Sequence, residues 1–206
     1  WQKLLGFLRI NADIFIRTLC LTGVFGFFYS QSSGQGEMVL AVNTILLQYL
    51  NWMSYGVDGF AYASESLVGK YKGAADHPKT RRAIKLSFAW GMGLAALFSL
   101  GYGLGGNGLL RLFTNQADVI LAAQPFLFWM VLFPLLGTPS YIWDGVYIGL
   151  TASKAMRNSM LLAFVTFLLA YAAARGYGNH GLWLAMLIFL VARGGFQYWL
   201  YHRKGL

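Results

Sequence analysis

Seven side chains recur along one edge of a single apolar stretch: Thr44, Gln48, Asn51, Tyr55, Asp58, Tyr62 and Glu65. Their spacing alternates four and three, which stacks them on one face of an α-helix. At about 1.5 Å per residue the stripe runs about 30 Å, the thickness of a bilayer's hydrocarbon core. A carboxylate turned to lipid at that depth costs about 2.5–3.5 kcal/mol on insertion scales, so the stripe must face protein or a water-filled cavity. In a cavity, Asp58 is the first choice for a group that takes up and releases a proton. Tyr55, Tyr62, Trp52 and Phe60 can offer π faces to a cation. An interhelical hydrogen-bond seam is the structural alternative, with Glu65 at the headgroups beside Lys70.

Other polar groups interrupt neighbouring apolar stretches. Asp13 and Arg17 lie four apart and can pair on one helix face. Equally, Arg17 can line a cavity, bind an anion or pair with a carboxylate of the second stretch. Asp144 has Tyr141 and Tyr147 three residues to either side, in a stretch that also holds Pro125, Pro134 and Pro139. Proline removes a backbone donor and kinks a helix. Broken helices beside an acidic residue recur in transporters, and a plain packing kink is the alternative. Arg193 and Gln197, again four apart, read as a bundle-facing structural pair. One echo joins two of these stretches: Ser-Tyr-x-x-Asp-Gly begins at Ser54 and at Ser140, each followed by a small residue four after the glycine, Ala63 and Gly149. Small-xxx-small spacing favours close helix contact.

The elements that must position these groups follow from composition. Of 206 residues 57% are hydrophobic and 11% charged, against about 25% charged in a soluble domain. The expected class is an all-α integral membrane protein, a six-transmembrane-helix bundle. Its spans fall at about 4–29, 38–68, 84–103, 119–150, 160–174 and 181–201. A crossing needs roughly 17–25 residues, which the second and fourth spans exceed, and the short fifth borrows flanking residues. The breaks QSSGQGE, KYKGAADHPKTRR, GGNGLLRLFTNQ, TASKAMRN and RGYGNHG are rich in glycine, polar residues or charge. The chain opens at Trp1 and enters an apolar helix without a small-residue cleavage site, so it is expected to be a piece of a longer protein.

The net charge of +9 is explained by topology. Lys70, Lys72, Lys79, Arg81, Arg82 and Lys85 lie between spans two and three, and Lys154 and Arg157 between four and five. Lys3 and Arg9 open span one, while Arg203 and Lys204 follow span six. The alternate loops hold only Arg111 and Arg175. Basic loops stay in the cytoplasm, so both ends are expected there. Insertion and contact with anionic lipid account for these charges better than nucleic-acid binding. One cysteine, Cys20, excludes an internal disulfide, and His77, His180 and His202 lack ligand spacing. Gly101, Gly103 and Gly106 match GxGxxG but lack the flanking strand of a dinucleotide site. No side chains assemble a nucleophile with its base, so an enzyme is not expected.

Against that reading, LAVNTILLQYLNWMSYGVDGFAYASESLVGKYKGA resembles the eighth helix and following loop of the DinF-like branch of the multidrug and toxic compound extrusion (MATE) family. NADIFIRTLCL resembles the start of the seventh helix. YIWDGVYIGLTASKAMRNSM and GNHGLWLAMLIFLVARG resemble the tenth-to-eleventh and twelfth-helix regions. The likeness covers nearly the whole chain, and DGFAYA and MRNSM are its most specific stretches. It implies that residues 1–206 are the C-terminal lobe of a twelve-helix MATE-type transporter in a bacterial inner membrane, with the N-terminal lobe as its missing partner. It further implies export of cationic or amphipathic small molecules against protons or sodium, with no other cofactor. In several branches acidic residues on the seventh and tenth helices hold the coupling ion. Asp13 and Asp144 lie on the matching helices but not clearly at the matching turn.

The expected cavity-lining set is Asp58, Asn51, Tyr55, Tyr62, Gln48, Asp13, Arg17, Asp144 and Tyr147. A lipid-linked substrate flippase of the same superfamily is the nearest rival, and would need a wide, strongly cationic cavity. A non-transporting membrane scaffold is another, and would pack the stripe dry.

Overall fold

A computed structural model describes residues 2–204, the side chains at 2, 3, 5, 6 and 204 excepted. Two charges of the topology reading, Lys3 and Lys204, therefore lie outside the described side chains. Seven helices follow one another: α1 (Gln2–Gly34), α2 (Glu37–Gly73), α3 (His77–Phe113), α4 (Ala117–Ala123), α5 (Leu127–Gly149), α6 (Ser153–Ala174) and α7 (Asn179–Lys204). No strand occurs among the described residues. Among the described residues, five stretches are long and apolar enough to cross a membrane: Phe7–Gly34, His77–Phe113, Ala117–Gly149, Ser153–Tyr177 and Asn179–Arg203. The remaining helix, α2, has 37 residues. Asn43, Gln48 and Asn51 dilute its apolar run.

The fourth apolar stretch is divided rather than continuous. Residues 124–126 form a 3₁₀ turn around Pro125, joining α4 to α5. Pro134 and Pro139 sit inside α5 without ending it. In the turn before Pro134 the Val131 carbonyl accepts a hydrogen bond from Ser99 Oγ of α3 at 2.7 Å. A neighbouring helix thus meets backbone need where proline disturbs the ladder, as membrane burial demands.

Turns are shorter than the polar breaks suggest. Helix α2 continues through Gly73 and α3 starts at His77, leaving only 74–76 between them. Asp76 caps α3, accepting from the Lys79 backbone N–H at 3.0 Å and pairing with its ammonium at 2.8 Å. The Lys79 side-chain bond, followed by the backbone bond, holds the Asp76 carboxyl below its usual value. The stretch GGNGLLRLFTNQ is not a break: α3 runs through its glycines to Phe113, and only 114–116 turn. Packing overrides the poor helix propensity of glycine there. Gly106 is held against the Leu127 side chain, and its carbonyl accepts from Tyr49 Oη at 2.7 Å.

Helix α5 is the axis of the bundle, with α2, α3 and α7 packed around it, while α1 rests chiefly on α6. Contact between α1 and α2 is slight, so these two helices stand apart over α5. Their joined end is pinned by a buried amide cluster. Asn43 Nδ2 donates to Ser32 Oγ at 2.7 Å and to Asn179 Oδ1 at 2.8 Å, and Trp183 Nε1 donates to Asn43 Oδ1 at 2.9 Å.

A very close helix approach brings Gly145 and Gly149 of α5 against the α2 backbone just after its Ser-Tyr-x-x-Asp-Gly segment. A β-carbon on Gly145 would collide with the Ala61 carbonyl, and one on Gly149 would lie 2.6 Å from the Glu65 carbonyl. Gly69 faces the Gly149 backbone in turn. No side chain fits between these backbones. Gly145→Ala should therefore lower stability by about 1–3 kcal/mol or more through overpacking. Gly101→Ala, with nothing within 4 Å of its added carbon, should leave it unchanged or slightly raised. Thermal unfolding of the full-length protein in detergent separates the two outcomes.

Candidate functional site

None of the seven stripe residues is buried. The buried edge of α2 is the complementary set, including Leu46, Leu50, Met53, Val57 and Ala61. An amphipathic helix has turned its apolar edge onto the bundle and left its polar edge on the open side.

A cleft of about 350 Å³ opens where α1 and α2 part. Helix α2 contributes Asn51, Ser54, Asp58, Tyr62 and Glu65 to it, α1 contributes Arg17, α5 contributes Tyr141 and Asp144, and α7 contributes Arg193. Leu21, Phe25 and Leu50 close it on the apolar side. Gln48 and Tyr55 are outside this lining, although Tyr55 is 74% exposed. Gln48 instead accepts from Asn51 Nδ2 at 3.4 Å, within α2. Trp52 packs on Phe113 with ring centroids 4.8 Å apart and lines the α3 side of α2, away from Asp58.

Asp144 is the centre of the cleft floor. Arg17 and Arg193 both donate to its Oδ2, and Gln197 Nε2 donates to Oδ1 at 2.6 Å. Helices from both ends of the chain are thereby fastened to α5. The Arg193 guanidinium also stands 5.4 Å from the centre of the Tyr141 ring, within cation–π range. Arg17 Nε, Arg193 Nε and Gln197 Oε1 are buried and have no protein partner.

Two expectations change here. Asp13 and Arg17 do not pair with each other, and Asp13 is not on the cleft wall. Its carboxylate is 3% exposed and faces α6, accepting from Arg157 Nη1 at 2.5 Å and Ser153 Oγ at 2.9 Å. Arg17, one turn on, reaches across to Asp144 instead. Partners on other helices satisfy both charges, so the local pair is not needed. Tyr147 is likewise absent from the cleft. It is fully buried on the far side of α5 and donates to the Gln197 carbonyl at 2.7 Å.

Arg193, Gln197 and Tyr141 carry more of the site than their sequence context implied, and Arg157 holds Asp13 outside it. Arg193 and Gln197 read only as a bundle pair, and Arg157 only as a loop charge. Their signals were present as four-residue spacings, 193 with 197 and 153 with 157, but the acids they grip lie far away in sequence. Asp58 differs from Asp144 and shares its lack of an ion pair with Glu65 at the edge of the cleft. Among the described residues Asp58 forms no ion pair, although it lies within electrostatic range of Asp144, Arg193 and Arg17.

A helical membrane lobe with an ion-paired acid at the floor of a polar cleft fits one half of a secondary transporter. The MatE family profile matches residues 14–174, and the chain belongs to the MATE transporter family. It is 36% identical over 187 residues to the DNA damage-inducible protein F of Escherichia coli, covering 91% of this chain and 41% of that protein. It is 22% identical over 192 residues to the chloroplast protein DETOXIFICATION 44 of Arabidopsis thaliana, covering 91% of this chain and 36% of that protein. A crystal structure of a MATE protein in the bent conformation superposes with a TM-score of 0.84 at 16% identity, over 97% of this chain and 45% of that one. The chain thus spans well under half the length of the relatives it matches, and its fold is one lobe of such a transporter.

Asp144→Asn would leave Arg17 and Arg193 facing a neutral amide in a water-poor site. Breaking a buried pair from one side costs about 3–5 kcal/mol, so a large fall in thermal stability is expected. Asp58→Asn, which breaks no ion pair, should shift it far less. Equal shifts in the full-length protein would contradict this division between a structural and a free carboxylate.

Proposed function

We propose that this lobe forms one wall of the central cavity of an efflux transporter that exports cationic or amphipathic small molecules by alternating access. Inward proton or sodium movement would drive it. The observation that carries this reading is Asp58, a carboxylate that forms no ion pair among the described residues and stands beside the doubly paired Asp144 in an open polar cleft. Among the described residues, a cation entering the cleft finds two carboxylates without ion pairs: Asp58, bordered by the Tyr62 ring and the Asn51 and Ser54 polar atoms, and Glu65 two turns further along α2. Proton and cationic cargo then compete for Asp58. Each favours the state in which it is bound, and that competition is the coupling.

The same observation argues against the two rivals. A flippase for an anionic lipid-linked substrate would need free cations, whereas Arg17 and Arg193 are both committed to Asp144. A scaffold would need the α2 stripe packed dry, whereas its residues are half-buried or exposed in this lobe. The basic loops support an orientation with both ends of the chain on the cytoplasmic side of a bacterial inner membrane.

In the full-length protein, Asp58→Asn should abolish ion-driven efflux of a fluorescent cation from energised vesicles while the membrane level of protein is maintained. Undiminished efflux would refute the role assigned to Asp58. For orientation, a single cysteine at Ala75 in a Cys20→Ser background should react with an impermeant maleimide only when the cytoplasmic face is exposed. One at Asn115 should react from the opposite face.

A further inference from the structure

Helix α5 turns neighbouring residues to opposite sides of the lobe. Asp144 looks into the cleft between α1 and α2. Trp143, 5% exposed, floors a second cleft of about 720 Å³ between α3 and α7. That floor is aromatic. Trp143 meets Phe88 of α3 with centroids 5.2 Å apart, Tyr201 of α7 at 5.0 Å and Tyr198 at 6.2 Å.

The rim has the opposite character. Arg81 and Lys85 lie one turn apart on α3, both exposed, and both line the cleft. Neither forms an ion pair among the described residues. No acidic side chain lines the cleft, and the nearby Asp76 is already paired with Lys79. His202 completes the α7 side, stacked on Tyr198 at 4.2 Å.

Two cations without counter-ions, one turn apart above a wall of aromatic rings, are complementary to a molecule that is anionic at one end and apolar along its length. The cleft lies near the first turns of α3 and the last turns of α7, where a bilayer changes from hydrocarbon to headgroup. Basic pockets between membrane helices at that depth select anionic headgroups. A guanidinium offers paired donors to phosphate oxygens, and an ammonium adds a point charge. We propose that this cleft is a binding site for an anionic phospholipid. Its phosphodiester is held between Arg81 and Lys85, and an acyl chain lies over Phe88 and Trp143. Free phosphate shares the anionic chemistry but leaves the aromatic floor unused. The assignment is independent of the transport reading, since it uses none of the groups in the other cleft except the helix they share.

The test is retention of lipid by the full-length protein, purified from vesicles of mixed phosphatidylglycerol and phosphatidylcholine and read by native mass spectrometry. The wild type is expected to retain phosphatidylglycerol selectively. An Arg81→Gln, Lys85→Gln double variant should lose about fivefold or more of that retention with phosphatidylcholine unchanged. An Arg111→Gln control at the other end of α3 should behave as wild type. Lys70, Lys72, Lys79 and Arg82 remain to set the topology of the double variant. Should it still fail to insert, Lys85→Gln alone decides, with a loss of about fivefold expected. Equal retention of the two lipids by the wild type, or undiminished retention by the inserted variant, overturns the proposal. Displacement of the lipid by millimolar inorganic phosphate would also overturn it, by assigning the site to a small anion.

Discussion

A charged group in a low-dielectric interior must be matched by opposite charge, and around Asp144 this single requirement organises the lobe. One carboxylate takes two guanidinium groups and an amide, from α1 and α7, which lie at opposite ends of the chain. Helix α1 has little else to hold it to α5. The Asp13–Arg157 pair secures it to α6 from the other side. With Arg17 and Arg193 both matched to Asp144, the cations on the cleft wall between α1 and α2 are satisfied. Asp58, and Glu65 nearer the end of α2, are left as acids whose state can change without breaking an ion pair between helices.

The second constraint is backbone proximity between α2 and α5. Glycines at 145, 149 and 69 let the main chains approach more closely than any side chain permits. In a bilayer, close packing rather than water exclusion drives helix association, so small residues matter more than large apolar ones. This contact also sets the rotation of α2. With Ala61 and Val57 turned to α5, the stripe one hundred degrees or so around the helix is forced to the open side. The repeated Ser-Tyr-x-x-Asp-Gly segment marks both partners of the contact, and it brings their two aspartates to one cleft.

Helix α5 also separates the two faces of the lobe. Its acid serves the polar cleft and its preceding tryptophan serves an aromatic one. Gln197 and Tyr198, adjacent on α7, repeat the division: the first holds Asp144 and the second borders Trp143. A 3₁₀ turn takes up the proline before α5, and a hydroxyl lent from α3 meets the backbone near Pro134, so the helix runs on through both of its own prolines.

Residue types and periodicity alone determined the membrane class, the helical content and the polar edge of α2, because each is a local property. A bilayer imposes length and apolarity on every span, and a four-three spacing fixes one face of one helix. The same local logic failed where glycine-rich stretches stayed helical, since interhelical contacts outweighed their propensity. Only the tertiary structure decided which charges meet. Asp13 and Arg17 had an adequate partner in each other by spacing, yet each was drawn to a better one on a distant helix. Tyr147 has the same three-residue offset from Asp144 as Tyr141 and ends on the opposite side of α5. Pairing between remote segments depends on how helices are rotated and stacked, and no spacing within one helix carries that information.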